Sequence, residues 1–282
     1  MLNRIRILAL LATLLILPGC IITNSVLGAH ERFYKAVALN RDGAFFLENV
    51  NGSVIVEAGA DNEVQIEAEK TASSQSYLER IEIEVRGQGD RVDVRTRMPR
   101  GGFLFGGHGN VEYRIRLPRE AAAELKTVNG TVRVEAIAGR LRASTVNGSV
   151  KLSDAEGAVT ASTVNGSITA GYRKPVEGRH EFSTVNGSIT LYLPSDAGGD
   201  FAAHTVNGGI STDFPLTVSG RIGGHSLRGR LGDGRGEFHI RTVNGGVKLL
   251  KGQDKVVRRN LLESSYSLCV TTRRNLKSVK WS

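Results

Sequence analysis

Two cysteines in 282 residues, Cys20 and Cys269, exclude a disulfide framework, and neither sits in a cluster with metal-ligand spacing. Aromatic residues make up only 6% of the chain. So few rings do not fill a broad globular interior, and they point to a thin core of Val, Ile, Leu, Ala and Thr. Helical periodicity is almost absent, with one weak hint at Arg119 to Leu125. A concentrated positive charge is missing from the body as well. The formal charge of +9 includes Arg4 and Arg6, and residues 251–282 hold a net six more. Without those eight, the body carries +1. A near-neutral body excludes nucleic acid as an expected partner.

What the chain has is repetition. Thr-Val-Asn-Gly opens at Thr127, Thr145, Thr163, Thr184, Thr205 and Thr242, and Asn49-Val50-Asn51-Gly52 is a looser seventh copy. Ser, Thr or Gly follows each copy, then Val or Ile. The corner asparagines are Asn51, Asn129, Asn147, Asn165, Asn186, Asn207 and Asn244, at steps of 78, 18, 18, 21, 21 and 37 residues. Ser226-Leu227-Arg228-Gly229-Arg230-Leu231 fits the pattern with Arg at the Asn position, which splits the last step into 21 and 16. A period near 20 marks a repeat architecture.

Within one repeat, Leu141, Ala143 and Thr145 alternate with Arg142 and Ser144, the signature of a strand with one buried face. Asn147-Gly148 breaks it, because both residues tolerate a tight corner. Val150 and Leu152 start a second strand, and Asp154 to Gly157 form a second turn. Two all-β folds fit this pattern. Asn-Gly between alternating strands is a hairpin signal, giving an antiparallel meander. The favoured alternative is a β-solenoid, parallel β-helix-like, of ~18–21-residue repeats. A meander gives no reason for identical Thr, Val and Asn. A solenoid does, because equivalent side chains stack about 4.8 Å apart and Asn amides hydrogen-bond along the stack.

The N-terminus reads as an export signal over 1–19. Arg4 and Arg6 precede the apolar stretch Ile7 to Leu17, which is shorter than the roughly 20 residues of a spanning helix. Leu17-Pro18-Gly19-Cys20 resembles the lipobox of bacterial lipoproteins, although Pro18 is unusual there. The resemblance implies lipidation of Cys20 and anchoring in the membrane. Ile21 after the Cys favours the outer membrane, if the host is Gram-negative. Several acyl chains on one Cys give stable anchoring. The alternative is an ordinary cleaved signal with an incidental Cys.

Residues 20–44 are expected to be the lipidated Cys and a tether, 45–250 the repeat domain, and 251–282 a basic tail. The strands around Val64, Ile83, Val92 and Tyr113 are more charged than the later ones and suit a cap or diverged rungs. Gly101 to Gly109 is a Gly-rich insertion holding Phe103, Leu104 and Phe105. No Gly-Lys-Ser/Thr follows, so it is not a phosphate loop. It is a flexible loop or a small apolar contact site. Gly232 to Gly236 reads as a turn, since the calcium-binding repeat it resembles has a nine-residue frame that is missing. The tail is a cap, a disordered end, or the product of a reading-frame change.

No catalytic group is expected. His180, His204 and His239 stand at −4, −1 and −3 from the nearest repeat Thr and so do not fall on one row. Asp154, Glu156, Asp196, Asp200 and Asp213 read as turn residues at unlike offsets, and no Gly-x-Ser-x-Gly elbow occurs. Cofactor and metal sites are not expected either. The Asn row reads first as a structural ladder and second as a binding face.

The Thr-Val-Asn-Gly-Ser/Gly-Val/Ile copies, with the Gly-rich stretch Gly223 to Arg241, resemble a bacterial β-strand-repeat family, the domain of unknown function 4097, whose members carry the label adhesin. The resemblance spans roughly residues 45–250. It implies a β-helical fold and an envelope location. The basic tail departs from the family pattern, which stops near the last repeat strand. The expectation is a lipid-anchored, non-catalytic envelope solenoid that binds polysaccharide or an envelope protein, or serves a structural role. The alternative is a carbohydrate-active β-helix enzyme, which a cluster of carboxylates in one groove would favour.

Overall fold

The computed structural model describes residues 28–99, 107–175, 177–215, 217–218, 225–232 and 234–252. Cys20 with its export signal, the apolar centre of the Gly-rich insertion, and the basic tail from residue 253 lie outside the described residues. So does Cys269.

The described chain is all-β. It has nineteen strands and one four-residue helix, α1 (Gln75–Leu78). The helix is capped by Ser74, whose Oγ accepts from the Tyr77 N–H at 3.2 Å. Its Tyr77 and Leu78 are buried. The weak helical hint at Arg119 to Leu125 becomes strand from Ala122 on.

Five strands open the chain: β1 (Ala29–Glu48), β2 (Val54–Ala58), β3 (Glu63–Ala72), β4 (Glu82–Arg97) and β5 (Gly109–Leu117). The segment expected to be a tether is therefore strand from Ala29 onward. Its half from Ala29 to Ala38 pairs antiparallel with β3, and β3 pairs antiparallel with β5. Its other half, Ala44 to Glu48, runs parallel to β4. Antiparallel strands bearing Glu67, Glu69, Arg114 and Arg116 close this end of the stack, as charged capping strands should.

After the cap the pattern becomes regular. One sheet contains β6 (Ala122–Lys126), β8 (Leu141–Asn147), β10 (Val159–Asn165), β12 (Gly178–Asn186), β14 (Gly199–Asn207) and β18 (Gly236–Asn244). The other contains β7 (Val132–Glu135), β9 (Val150–Ser153), β11 (Ile168–Gly171), β13 (Ile189–Leu193), β15 (Ile210–Thr212) and β19 (Val247–Lys251). Strands flanking a corner do not pair with each other. Instead β8 pairs parallel with β10, setting Thr145 beside Thr163 and Asn147 beside Asn165. Likewise β9 pairs parallel with β11, setting Val150 beside Ile168. The inward residues of both sheets share one core.

Rung order departs from chain order at the C-terminal end. The strand β18 pairs with β12 on one side and with β14 on the other. Similarly, β19 lies between β13 and β15. The last repeat in sequence is thus inserted between the two that precede it. Before the insertion, the chain forms β16 (Thr217–Val218) and β17 (Ser226–Leu231). Here the degenerate copy at Ser226 to Leu231 is corrected: it is one strand, antiparallel to β14, and Arg228 lies opposite Ala202 rather than in the Asn row. A strand running back along β14 covers an edge that would otherwise be open. The return path is tight at Gly234, where an added Cβ would stand 2.0 Å from the Gly198 carbonyl carbon. Close backbone approach, not cation binding, accounts for this glycine.

Candidate functional site

The corners form one continuous row. Asn129 Nδ2 donates to Asn51 Oδ1, Asn147 to Asn129, Asn165 to Asn147 and Asn186 to Asn165, each at 2.8 Å. Asn244 donates to Asn186 at 2.7 Å, and Asn207 donates to Asn244 at 2.8 Å. All seven expected corner asparagines therefore lie on one ladder, with the amides pointing the same way. At its start, Asn51 Nδ2 donates to the Gly109 carbonyl at 3.1 Å.

Each threonine is buried and satisfies a neighbouring rung. Thr145 donates to Gly130 O at 2.9 Å, Thr163 to Gly148 O at 2.8 Å, Thr184 to Gly166 O at 2.9 Å, Thr242 to Gly187 O at 2.9 Å and Thr205 to Gly245 O at 2.8 Å. A Cβ on Gly148 would lie 2.0 Å from Gly130 O, so the corner backbones stack too closely for any side chain. The looser first copy has its own reason. Asn49 stands where later copies have Thr, and its Nδ2 donates to Val111 O at 2.9 Å and Gly52 O at 3.2 Å. Thus Thr, Asn and Gly each serve the stack itself.

Valine does not. Val128, Val146, Val164, Val185, Val243 and Val206 are exposed, at 38 to 51%. Residues this apolar are normally buried, or exposed singly. Here one stands on each of six successive rungs, beside the amide row. At about 4.8 Å per rung, the six valines form an apolar ridge about 24 Å long.

A second feature lies on the outer face near the C-terminal edge. A cleft of about 760 Å³ crosses β17, β14 and β18. Ala202 forms its floor, with Arg228 opposite it on one side and His239 on the other. Next along the strands, His204 faces Arg241 on one side and Ser226 on the other. In the opposite direction Asp200 faces Glu237 and Arg230. Glu237 Oε1 accepts from His239 Nε2 at 2.7 Å, and this bond chiefly holds its carboxyl below the usual range. Arg230 approaches Asp200 at 3.9 Å. Among the described residues, neither Arg228 nor Arg241 has a carboxylate within ion-pair distance.

The rung insertion brings His204 and His239 to diagonal positions, although their offsets in sequence separate them. His180 is different, being fully buried between rungs. Its Nδ1 lies 3.2 Å from Tyr172 Oη, its Nε2 donates to Glu177 O at 3.2 Å, and its ring stacks on Phe238 with centroids 4.8 Å apart. Burial lowers its pKa.

Of the carboxylates considered from sequence, Asp154 pairs with Arg173 and Glu156 with both Arg119 and Lys174. Asp200 is a strand residue, not a turn residue. Among the described residues, no group of three His, Cys, Asp or Glu side chains is placed to hold a metal. No helix among them is long and apolar enough to cross a membrane.

No protein-family profile matches the chain, and no curated protein matches it. Among solved structures it is similar to a candidate cell adhesion protein from Clostridium sporogenes, at 13% identity and a TM-score of 0.47, covering 79% of this chain and 100% of that one. It is also similar to a candidate adhesin from Bacteroides fragilis, at 9% identity and a TM-score of 0.31, covering 79% and 97%. A candidate lipid-binding protein from Parabacteroides distasonis matches at 9% identity and a TM-score of 0.25, covering 80% and 98%. Likenesses this remote carry no argument about what the chain binds.

Proposed function

We propose that this protein is a lipid-anchored, non-catalytic β-solenoid of the cell envelope, and that its corner binds an extended partner, with polysaccharide favoured over protein. The observation that carries this reading is the exposed valine ridge. The Thr, Asn and Gly positions at each corner are used internally, whereas the Val side chain is more than a third exposed and recurs on six rungs. A rigid row of apolar side chains beside a row of amides suits a chain-like ligand, whose units alternate apolar faces and hydroxyls. The anchor rests on Leu17, Gly19 and Cys20 after a short apolar stretch.

The test mixes the protein with purified envelope polysaccharide and follows both by size-exclusion chromatography. Co-elution, lost when Val164→Asp and Val185→Asp are combined, supports the reading. Co-elution that survives this double change, or none at all, rejects the corner as a glycan surface.

One observation favours the catalytic alternative: Asp200 and Glu237 stand directly opposite each other on neighbouring rungs, in one cleft. Glycoside hydrolysis needs one carboxyl held protonated as the acid. Glu237 is instead pushed toward ionisation by His239, and Asp200 faces Arg230. Glu237 is therefore a poor proton donor, and the polysaccharide is expected to keep its length. Shortening with time would establish hydrolysis and make this pair the first to mutate.

A further inference from the structure

We propose that the cleft over Ala202 is a binding site for a sugar acid, a uronate unit of an acidic polysaccharide, held by Arg228 and Arg241. This site is distinct from the valine corner and does not rest on it.

The cleft exists because Ala202 is short while the residues on both flanks are long. Arg228 lies opposite it on β17 and His239 opposite it on β18. Arg241 reaches in from beside His204. Arg228 and Arg241 stand on strands to either side of β14, offset by two residues; two inter-strand steps of about 4.8 Å and two residues of about 3.3 Å put them about 12 Å apart at the backbone. Both arginines line the cleft. The volume of about 760 Å³ falls within the ~300–1,000 Å³ common for small-ligand sites.

The chemistry selects the ligand. Five cationic or ionisable nitrogen groups, Arg228, Arg230, Arg241, His204 and His239, meet two carboxylates, Asp200 and Glu237. A guanidinium presents a planar fork that matches a carboxylate. Arg230 is committed toward Asp200, and His239 toward Glu237. Among the described residues, Arg228 and Arg241 have no such partner, so their charge is available. A ligand that is only an anion, such as phosphate, gains from the arginines but is repelled by Asp200 and Glu237. A uronate satisfies both halves: its carboxylate meets the arginines, and its hydroxyls donate to the two carboxylates. Ser226, beside His204, adds a further hydroxyl partner.

The cleft was closed to sequence reading because β18 enters out of order. Only that insertion sets His239 and Arg241 beside Ala202 and His204.

The experiment uses the full chain in detergent and isothermal titration calorimetry. The probes are trigalacturonate, maltotriose as a neutral trisaccharide, and inorganic phosphate. Trigalacturonate is expected to bind and maltotriose is not. Arg228→Gln and Arg241→Gln should each weaken binding about tenfold or more, as expected for loss of a charge-assisted pair. Ala202→Arg, which fills the floor, should abolish it. Arg114→Gln on the opposite sheet should leave it unchanged. All these side chains point outward, and unchanged thermal midpoints will show that the variants fold. The proposal is overturned if maltotriose binds equally well, or if the two Arg→Gln variants bind like the parent. It is also overturned if phosphate binds through Arg228 and Arg241 while trigalacturonate does not.

Discussion

Asn244 donates its amide to Asn186 at 2.7 Å and accepts from Asn207 at 2.8 Å. The final repeat thus holds apart two repeats that are adjacent in sequence. In an ordinary stack, losing the last repeat shortens the rod by one rung. Here it opens a gap between β12 and β14 in one sheet and between β13 and β15 in the other. Ending the chain after Arg235 removes Phe238, Ile240 and Leu249 from the core and takes the parallel neighbour from both β12 and β14. The expected loss is on the order of 5 kcal/mol or more, judged from truncations of buried side chains. Urea unfolding measures it. A midpoint close to that of the intact chain would contradict the inserted order.

The buried threonines predict an isosteric test. Thr163 donates to Gly148 O at 2.8 Å, and Thr163→Val keeps the shape while removing the donor. Leaving that carbonyl unpaired should cost roughly 1–3 kcal/mol. Thr163→Ser should recover most of it. Equal stability of the Val and Ser variants would mean that the hydroxyl is dispensable.

Glycines divide sharply by position. Gly148→Ala forces a Cβ to 2.0 Å from Gly130 O, and backbone must move. A cost of about 3 kcal/mol is expected, the upper end of ordinary substitutions. Gly209 has nothing within 4 Å of its Cβ position, so Gly209→Ala should stay within about 0.5 kcal/mol of the parent. Chemical denaturation of the two variants side by side checks the contrast.

Ala136 adopts φ 61°, in the left-handed region, whereas the equivalent position of the next rung holds Asp154 at φ 57°. Asp tolerates that region and Ala does not. Ala136→Gly should therefore stabilise the fold by roughly 0.5–1 kcal/mol, against the usual direction for glycine. A lower midpoint for the Gly variant would show that the strain is absent.

His180 predicts a pH dependence. Burial lowers its pKa below the ordinary 6.5, so the unfolded chain takes up the proton first as pH falls. Stability from the neutral ring is complete above about 6.5 and is lost as pH drops toward the folded-state value. Melting temperatures should be level from pH 7 to 8 and decline below 6.5. His180→Phe should flatten that decline, leaving only the loss at lower pH from carboxylates such as Glu156, which Lys174 and Arg119 hold ionised. An unchanged slope in the variant would remove His180 as the cause.

The rung itself was legible because period-two alternation and Asn-Gly punctuation are local signals, and all seven corner asparagines fall on the expected row. Neighbour identity was not. Every corner carries the same letters, so nothing in Thr205 or Thr242 says which stands next to Thr184. One clue went unused. Gly199-Asp200-Phe201 and Gly236-Glu237-Phe238 share the order Gly, acid, Phe, and these two segments lie in register. Matching rungs by their inner residues, not by chain order, would have placed Phe238 against Phe201, where their rings stack 4.4 Å apart. It would also have joined His204 and His239 in one cleft. The cap at Ala29 to Ala38 was obscured for another reason: Glu31 and Lys35 share a face with Phe33 and Val37 on an end strand, so apolar residues recur there only every fourth position.

The inserted rung also sets a timetable. A chain leaves the ribosome from its N-terminal end, and rungs through Leu193 can stack in the order in which they appear. The rung from Gly199 to Thr212 cannot follow them, because its seat is on β18 and β19, which are made last. That segment must wait, with Phe201 and Ala203 uncovered, until residues 236–251 arrive and fill the gap. The final two rungs can close together only once the whole of this sequence is present.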